Sequence, residues 1–235
     1  MLNQFDYKIV SAKQIKIPRN PYDEEANLFN KATFTFRRGF NILVGCNGSG
    51  KSTVLRFVKH YLESNKILHK RFDNLTDGGG HSMSKALFHN DLSSVARMYM
   101  SSEGECIHLN IGNLVGTLRR TLINSDDKSE FWLLLDAIDS GLSIDNIIDV
   151  KDGLQFAADK LLEEFGTNVY IVSTANTYEL TCDCHCIDVR TGGTISFKDY
   201  EDYRKFILNS KEHKSKRYKK INELRYRNRL ESENT

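Results

Sequence analysis

The residues best placed to do chemistry are Gly45-Cys46-Asn47-Gly48-Ser49-Gly50-Lys51-Ser52, which satisfy the pattern G-x-x-x-x-G-K-[ST] in full. Glycines at these intervals let successive backbone N–H groups turn inward around a polyphosphate, and a following helix adds the positive end of its dipole. In such a loop Lys51 reaches the β- and γ-phosphates and Ser52 ligates Mg²⁺. Thr53 extends the run. A magnesium ion held by one hydroxyl needs a carboxylate at the far edge of a neighbouring strand. Phe131-Trp132-Leu133-Leu134-Leu135-Asp136 supplies it, an apolar run that ends in an acid. The plainer alternatives are a glycine turn with no ligand and an Asp that merely caps a helix after a buried strand. Finding both features in one chain favours the nucleotide reading.

These residues need elements to position them. Ala32 to Phe36 alternates with the period of a half-buried strand, and Arg38-Gly39 turns it into the apolar run Phe40 to Val44, which reads as a hairpin feeding a buried strand. After Gly50, Val54, Leu55, Val58, Tyr61 and Leu62 fall at helical spacing, so a helix is expected from Lys51 to about Ser64. Asp77 to Gly80 breaks the next stretch and reads as a loop or lid, and Ile107, Ile111, Leu114, Leu118 and Leu122 mark one face of another helix. A polar linker, Asn124 to Ser129, precedes the acid-tipped strand. A helix from roughly Ile147 to Phe165 and a buried strand from Val169 to Val172 follow. Strand and helix in repeated succession predict an α/β fold: a mainly parallel sheet flanked by helices, with an N-terminal antiparallel β portion and a short helical lobe over about 64–104. The expected division is an ATP-binding domain over 1–203 and a basic helix or tail over 204–235.

The 235 residues suffice for one ordinary core, and no apolar run approaches the length that crosses a bilayer, so no membrane role is expected. Five cysteines, an odd number, with no secretory pattern at the start, point to reduced thiols and a cytoplasmic setting. The net charge of +2 conceals an asymmetry. Arg204 to Thr235 holds 11 Lys/Arg against 4 Asp/Glu, which leaves 22 against 27 in the body. Nine of those cations lie between Lys211 and Arg229, interleaved with Tyr218 and Tyr226. That composition suits a nucleic-acid backbone, a solvated tail or an acidic partner.

Four segments carry a family likeness. Gly45 to Thr53 reads GCNGSGKST, Met100 to Glu105 reads MSSEGE ahead of a helix, Leu133 to Ser143 reads LLLDAIDSGLS, and Ile171 to Leu180 reads IVSTANTYEL. Together they resemble the ATP-binding-cassette superfamily in its soluble branch, the SMC, RecF and OLD-like ATPases of DNA maintenance and phage defence. The resemblance implies ATP and Mg²⁺ as cofactors, with Gly45, Cys46, Asn47, Gly48, Ser49, Gly50, Lys51, Ser52 and Thr53 around the phosphates and Ser52 and Asp136 on the metal. It gives Ser102 and Gly104 the signature roles, with Ser102 capping the nucleotide of a second copy, so that ATP glues a head-to-tail homodimer. The work coupled to that switch would be regulation of a protein effector or of DNA. About 50 residues between Lys51 and Ser101 leave no room for the long coiled coil of SMC proteins. The 34-residue interval from Ser102 to Asp136 is closer to the OLD-like and RecF-like arrangement.

The chain also departs from the pattern. Ala137 stands where the family places the Glu that polarises the attacking water, Ala175 where it places a switch His, and Glu103 where glycine is usual. Glutamine occurs only at positions 4, 14 and 155, so the glutamine loop is missing. Three readings stand at this point: a nucleotide sensor that scarcely turns over, an ATPase that uses Asp139 or another base, and an engineered Glu-to-Ala trap, which the regularity of the segment favours. A non-hydrolysing nucleotide-gated scaffold and a DNA-binding protein with a vestigial cassette are the alternative functions. Phe29 or Tyr22 would stack on the base, with Asn176 partly substituting at the switch. Cys182-Asp183-Cys184-His185-Cys186 reads as a strand near the sheet's end, its cysteines acting as small hydrophobes, more readily than as a zinc site.

Overall fold

The structure, a computed structural model, describes residues 12–21, 27–31, 33–73 and 116–233. Two short strands, β1 (Ala12–Lys16) and β2 (Thr33–Arg37), pair antiparallel. The main sheet contains β3 (Gly39–Val44), β4 (His69–Asp73), β5 (Glu130–Asp136), β6 (Asn168–Thr174), β7 (His185–Asp188) and β8 (Thr194–Ile195), in the order β4-β5-β6-β3-β7-β8. All neighbours are parallel except β7 and β8. Helix α1 (Lys51–Ser64) follows β3, helix α2 (Ile144–Phe165) joins β5 to β6, and a long helix α3 (Tyr200–Glu233) ends the fold. Residues 116–123 are also helical.

The continuous apolar runs of β3, β5 and β6 have a simple cause, since a parallel sheet is covered on both faces. Alternate residues divide between two cores. Ile42, Leu133, Leu135 and Ile171 pack with Leu118 and Leu122 and with Ile147, Val150, Leu154 and Leu161 of α2. Leu43, Trp132, Leu134, Tyr170 and Val172 pack with Val54, Leu55, Val58 and Leu62 of α1 and with Phe34 and Phe36 of the small sheet. Trp132 and Tyr170 stack at 4.4 Å between ring centres. Lys13 bridges to Glu130 at 3.1 Å and ties the small sheet to the start of β5.

Four expectations are corrected. The segments 32–36 and 40–44 do not form a hairpin: β2 pairs with β1, and β3 pairs with β6 and β7. The buried Asn41 side chain explains the crossing between sheets, because its Oδ1 accepts from Arg37 N and its Nδ2 donates to Arg37 O, both at 2.7 Å, doing what a ladder partner would. The region assigned to a helical lobe begins with edge strand β4, whose HKRFD sequence holds too little apolar residue to read as a strand. The cysteine run is not one strand, since residues 179–181 form a 3₁₀ turn, Asp183 has φ of 55°, and pairing starts only at His185. Helix α2 starts at Ile144, three residues before the expected Ile147. Asp77 to Gly80 lies outside the described residues.

Among the described residues no helix is long and apolar enough to cross a membrane.

Candidate functional site

Parallel strands bring their carboxyl ends to one edge, the usual place for a ligand crevice in an open α/β sheet. Here that edge collects the Gly45–Ser52 loop after β3, Asp136 at the end of β5 and Thr174 at the end of β6. Strand β6 lies between β3 and β5, so Asp136 stands two strands from the loop, roughly 10 Å at ordinary strand spacing. Helix α1 crosses that gap. Its second residue is Ser52, whose Oγ donates to Asp136 Oδ1 at 3.1 Å. Thr174 fills the space over β6: its Oγ1 donates to the same carboxylate oxygen at 3.0 Å and accepts from Ala137 N at 2.8 Å.

The loop's glycines answer to contacts as well as to torsions. A Cβ on Gly45 would lie 2.5 Å from Ser49 Oγ and 2.9 Å from Val189. At Gly50, φ is 105° and a Cβ would meet the Phe29 ring at 2.8 Å. Gly50 is also the N-cap of α1, with no side-chain cap and no acidic residue in the first turn. The helix therefore presents its first N–H groups and dipole without a side-chain counterweight, which is an anion-binding terminus. Lys51 is buried, and its Nζ donates to Gly45 O at 2.7 Å. Burial pushes this ammonium below the ordinary lysine value; Lys214 acts in the same sense and the Asp139 and Asp136 carboxylates oppose it.

Ser52 and Asp136 offer two hard oxygens side by side, a donor set that suits magnesium. Among the described residues no group of three His, Cys, Asp or Glu side chains could cage a metal. Asp73, in register with Asp136 on β4, adds a carboxylate that sequence reasoning missed. Arg71 Nη2 lies 2.9 Å from Asp73 and 3.8 Å from Asp136.

Asp139, weighed above as a replacement base, has other work in this structure. It is 3% exposed. Its Oδ2 accepts from Asn176 N at 2.6 Å, Thr177 N at 2.8 Å and Thr177 Oγ1 at 3.1 Å, and its Oδ1 accepts from Asn176 Nδ2 at 3.1 Å. With both oxygens engaged it braces the 175–177 loop. Asn176 also donates to Ser140 Oγ at 3.2 Å, so the expected switch loop is tied to the segment that follows Asp136. Ala137 has φ of 54° and a side chain with no proton-accepting atom.

Helix α3 supplies a wall that the sequence did not announce. Tyr203, Ile207, Ser210, Lys214, Arg217 and Ile221 recur at spacings of four and three, one helical face. Tyr203 and Ile221 at its ends are buried. Between them Ser210 Oγ accepts from Cys46 N at 3.2 Å, and Lys214 Nζ donates to Asn47 O at 2.7 Å. The basic segment expected from residue 204 as a helix or tail belongs to this helix, which begins at Tyr200 and packs on the glycine loop. A cavity of about 480 Å³ lies between this wall and the loop, lined by Gly50, Lys51, Ser52, Asp136, Leu28 and Tyr218 among others. A second cavity, of about 540 Å³, lies across the loop and includes Cys46, Asn47, Tyr203, Lys211 and Lys214.

Ser102 and Gly104 lie outside the described residues, as does Tyr22. Phe29 is not a base platform, because it is fully buried, edge-on to Phe34 at 5.6 Å. Thr53 is buried in the first turn of α1. Burial also raises two thiols of the cysteine run, Cys184 to about 11 and Cys186 to about 12. No protein-family model matches the chain, and no curated protein matches it.

Proposed function

We propose that the chain is a magnesium-dependent ATP-binding protein of the ATP-binding-cassette type, whose nucleotide state governs association with a second copy and with an effector. The observation that carries this reading is the meeting of Ser52 and Asp136 at 3.1 Å, beside a buried Lys51 and an uncapped helix N-terminus. In the proposed site the loop amides and Lys51 bind and orient the phosphates, and Lys51 exchanges Gly45 O for a phosphate oxygen. Ser52 and Asp136 hold Mg²⁺, which when bound neutralises charge on the phosphoryl oxygens. Thr174 keeps the Asp136 carboxylate turned toward Ser52. Through Asp139 and Ser140, the Asn176 loop is coupled to the Ser140-Gly141-Leu142 turn that follows Asp136.

Hydrolysis by this chain is slow in this reading, since Ala137 presents no base and Asp139 is committed to the loop. The same two observations support a second reading, a nucleotide-gated scaffold that retains ATP. Steady-state ATP hydrolysis of this chain and of Ala137→Glu, with solution mass measured with and without ATP, separates them. A cassette ATPase gives turnover only in Ala137→Glu and an ATP-dependent doubling of mass in the parent. A scaffold changes mass with ATP and hydrolyses in neither form. Absence of both turnover and mass change contradicts the proposal. Any nucleic-acid contact in this reading falls to exposed cations of α3 such as Lys205 and Lys219, since Lys214 is engaged by the glycine loop.

A further inference from the structure

Of the two aromatic residues expected to meet the base, Phe29 is sealed in the core and Tyr22 lies outside the described residues. We propose that Tyr218 of α3 supplies the platform: it stacks on the base of the nucleotide whose phosphates lie in the Gly45–Ser52 loop. The inference rests on the nucleotide reading and adds to it a base subsite supplied by the C-terminal helix of the same chain.

Three observations support the assignment. Tyr218 is 44% exposed, so its ring is accessible to a ligand. It lines the same cavity of about 480 Å³ as Lys51, Ser52 and Leu28, and this volume lies within the roughly 300–1,000 Å³ typical of small-ligand sites. Its position is also held. Lys214, four residues earlier on the same face, is anchored to Asn47 O, and its ammonium lies 5.6 Å from the centre of the Tyr218 ring. The Arg217 guanidinium lies 5.5 Å from that centre. A planar base entering this cavity has the Leu28 side chain and the Tyr218 ring among its lining, and stacking on that ring shares it with the two cations that lie over it. Arg217, whose guanidinium lies over the ring, lines the same cavity as Lys51 and Ser52. A ring stacked in this way reads the breadth of the base more than its edge, so the subsite suits a purine nucleoside triphosphate.

The test compares two probes, Mg·ATP and magnesium tripolyphosphate, which share the phosphates and differ in the base. Their affinities are measured by calorimetry for the wild type, Tyr218→Ala, Tyr218→Phe and Lys51→Ala, with thermal unfolding of each unliganded variant as a folding control. Base–aromatic stacking contributes about 1–3 kcal/mol, so Tyr218→Ala is expected to weaken ATP about 10-fold and up to about 100-fold. The same variant should leave tripolyphosphate within about twofold, and Tyr218→Phe should bind ATP within about threefold of wild type. Unchanged ATP affinity in Tyr218→Ala, with loss in Lys51→Ala, overturns the base subsite and leaves the phosphate site standing. Equal weakening of both probes by Tyr218→Ala also overturns it, since Tyr218 would then shape the loop. Failure of the wild type to bind either probe overturns the nucleotide reading and the subsite together.

Discussion

Asp139 offers a quantitative test of how this site is held. Its carboxylate is 3% exposed and accepts four hydrogen bonds, two of them from the backbone amides of Asn176 and Thr177 at 2.6 and 2.8 Å. Asp139→Ala removes the acceptor of both amides, and because Asn176 is exposed and Thr177 only half-buried, water can satisfy part of what is lost. A fully buried group left without a partner costs about 1–3 kcal/mol, so this partly wetted pair together should cost roughly 1–3 kcal/mol. The Thr177 hydroxyl and the Asn176 side chain can turn elsewhere and add little. Asp139→Asn keeps an oxygen for three of the bonds and loses the charge assistance, which should cost about 1–2 kcal/mol. Urea unfolding with linear extrapolation reads both numbers, and an unchanged slope confirms that the folded state has not loosened. An Asp139→Ala variant within about 0.5 kcal/mol of wild type would refute the brace. A second arm addresses chemistry. In an Ala137→Glu background, Asp139→Asn should retain turnover within about threefold, whereas a loss of 100-fold or more without a stability change would make Asp139 the proton acceptor.

Three further outcomes follow from the same geometry. Gly50→Ala should cost about 2–4 kcal/mol in chemical unfolding and Gly48→Ala only about 1–2, because both carry positive φ but the Gly50 methyl meets the Phe29 ring and the Gly48 methyl meets the movable end of Lys214; equal costs would contradict the contact argument. Lys51→Met should raise stability at pH 7 by an amount on the order of 1 kcal/mol. The folded-state pKa of Lys51 lies below 10.5, so below that value the charged form opposes folding, and the wild type regains stability as pH rises toward 10.5 while Lys51→Met does not. Parallel profiles of unfolding free energy against pH for the two proteins would count against a buried ammonium. Alkylation by iodoacetamide at pH 8 should modify the buried Cys186 only as fast as the protein unfolds, and the half-buried Cys184 more slowly than a free thiol, because burial holds these thiols near 12 and 11; peptide mass spectrometry that finds Cys186 alkylated at the rate of a free thiol would contradict this.

The parts of the fold that sequence revealed are those where one physical cause dominates. β3, β5 and β6 are covered on both faces and so read as unbroken apolar runs, and the glycine loop reads clearly because sterics forbid substitutes at Gly45 and Gly50. Strand β4 escaped notice because its pairing to β5 comes from the backbone while His69, Lys70 and Arg71 hide the pattern. The role of α3 escaped for a related reason. Its docked face passes through Ser210, Lys214 and Arg217, so hydrophobic periodicity fades where the helix crosses the loop, and the surplus of cations imitates a solvated tail. The spacing 203, 207, 210, 214, 217, 221 carries the signal, but it is visible only if polar residues are allowed on a packed face. Thr174 and Asp139 were missed as braces because their partners lie 37 or more residues away in sequence, and only the parallel sheet brings them together.

The most direct test of the central claim is the magnesium dependence of ATP binding, measured by calorimetry in Mg²⁺ and in chelator for the wild type and for Asp136→Asn. If Ser52 and Asp136 hold the ion that accompanies the phosphates, Mg²⁺ should strengthen binding to the wild type by about tenfold or more, equivalent to about 1.4 kcal/mol, and Asp136→Asn should lose most of that gain. ATP binding that is absent, or equally strong with and without Mg²⁺ in both proteins, would contradict the account.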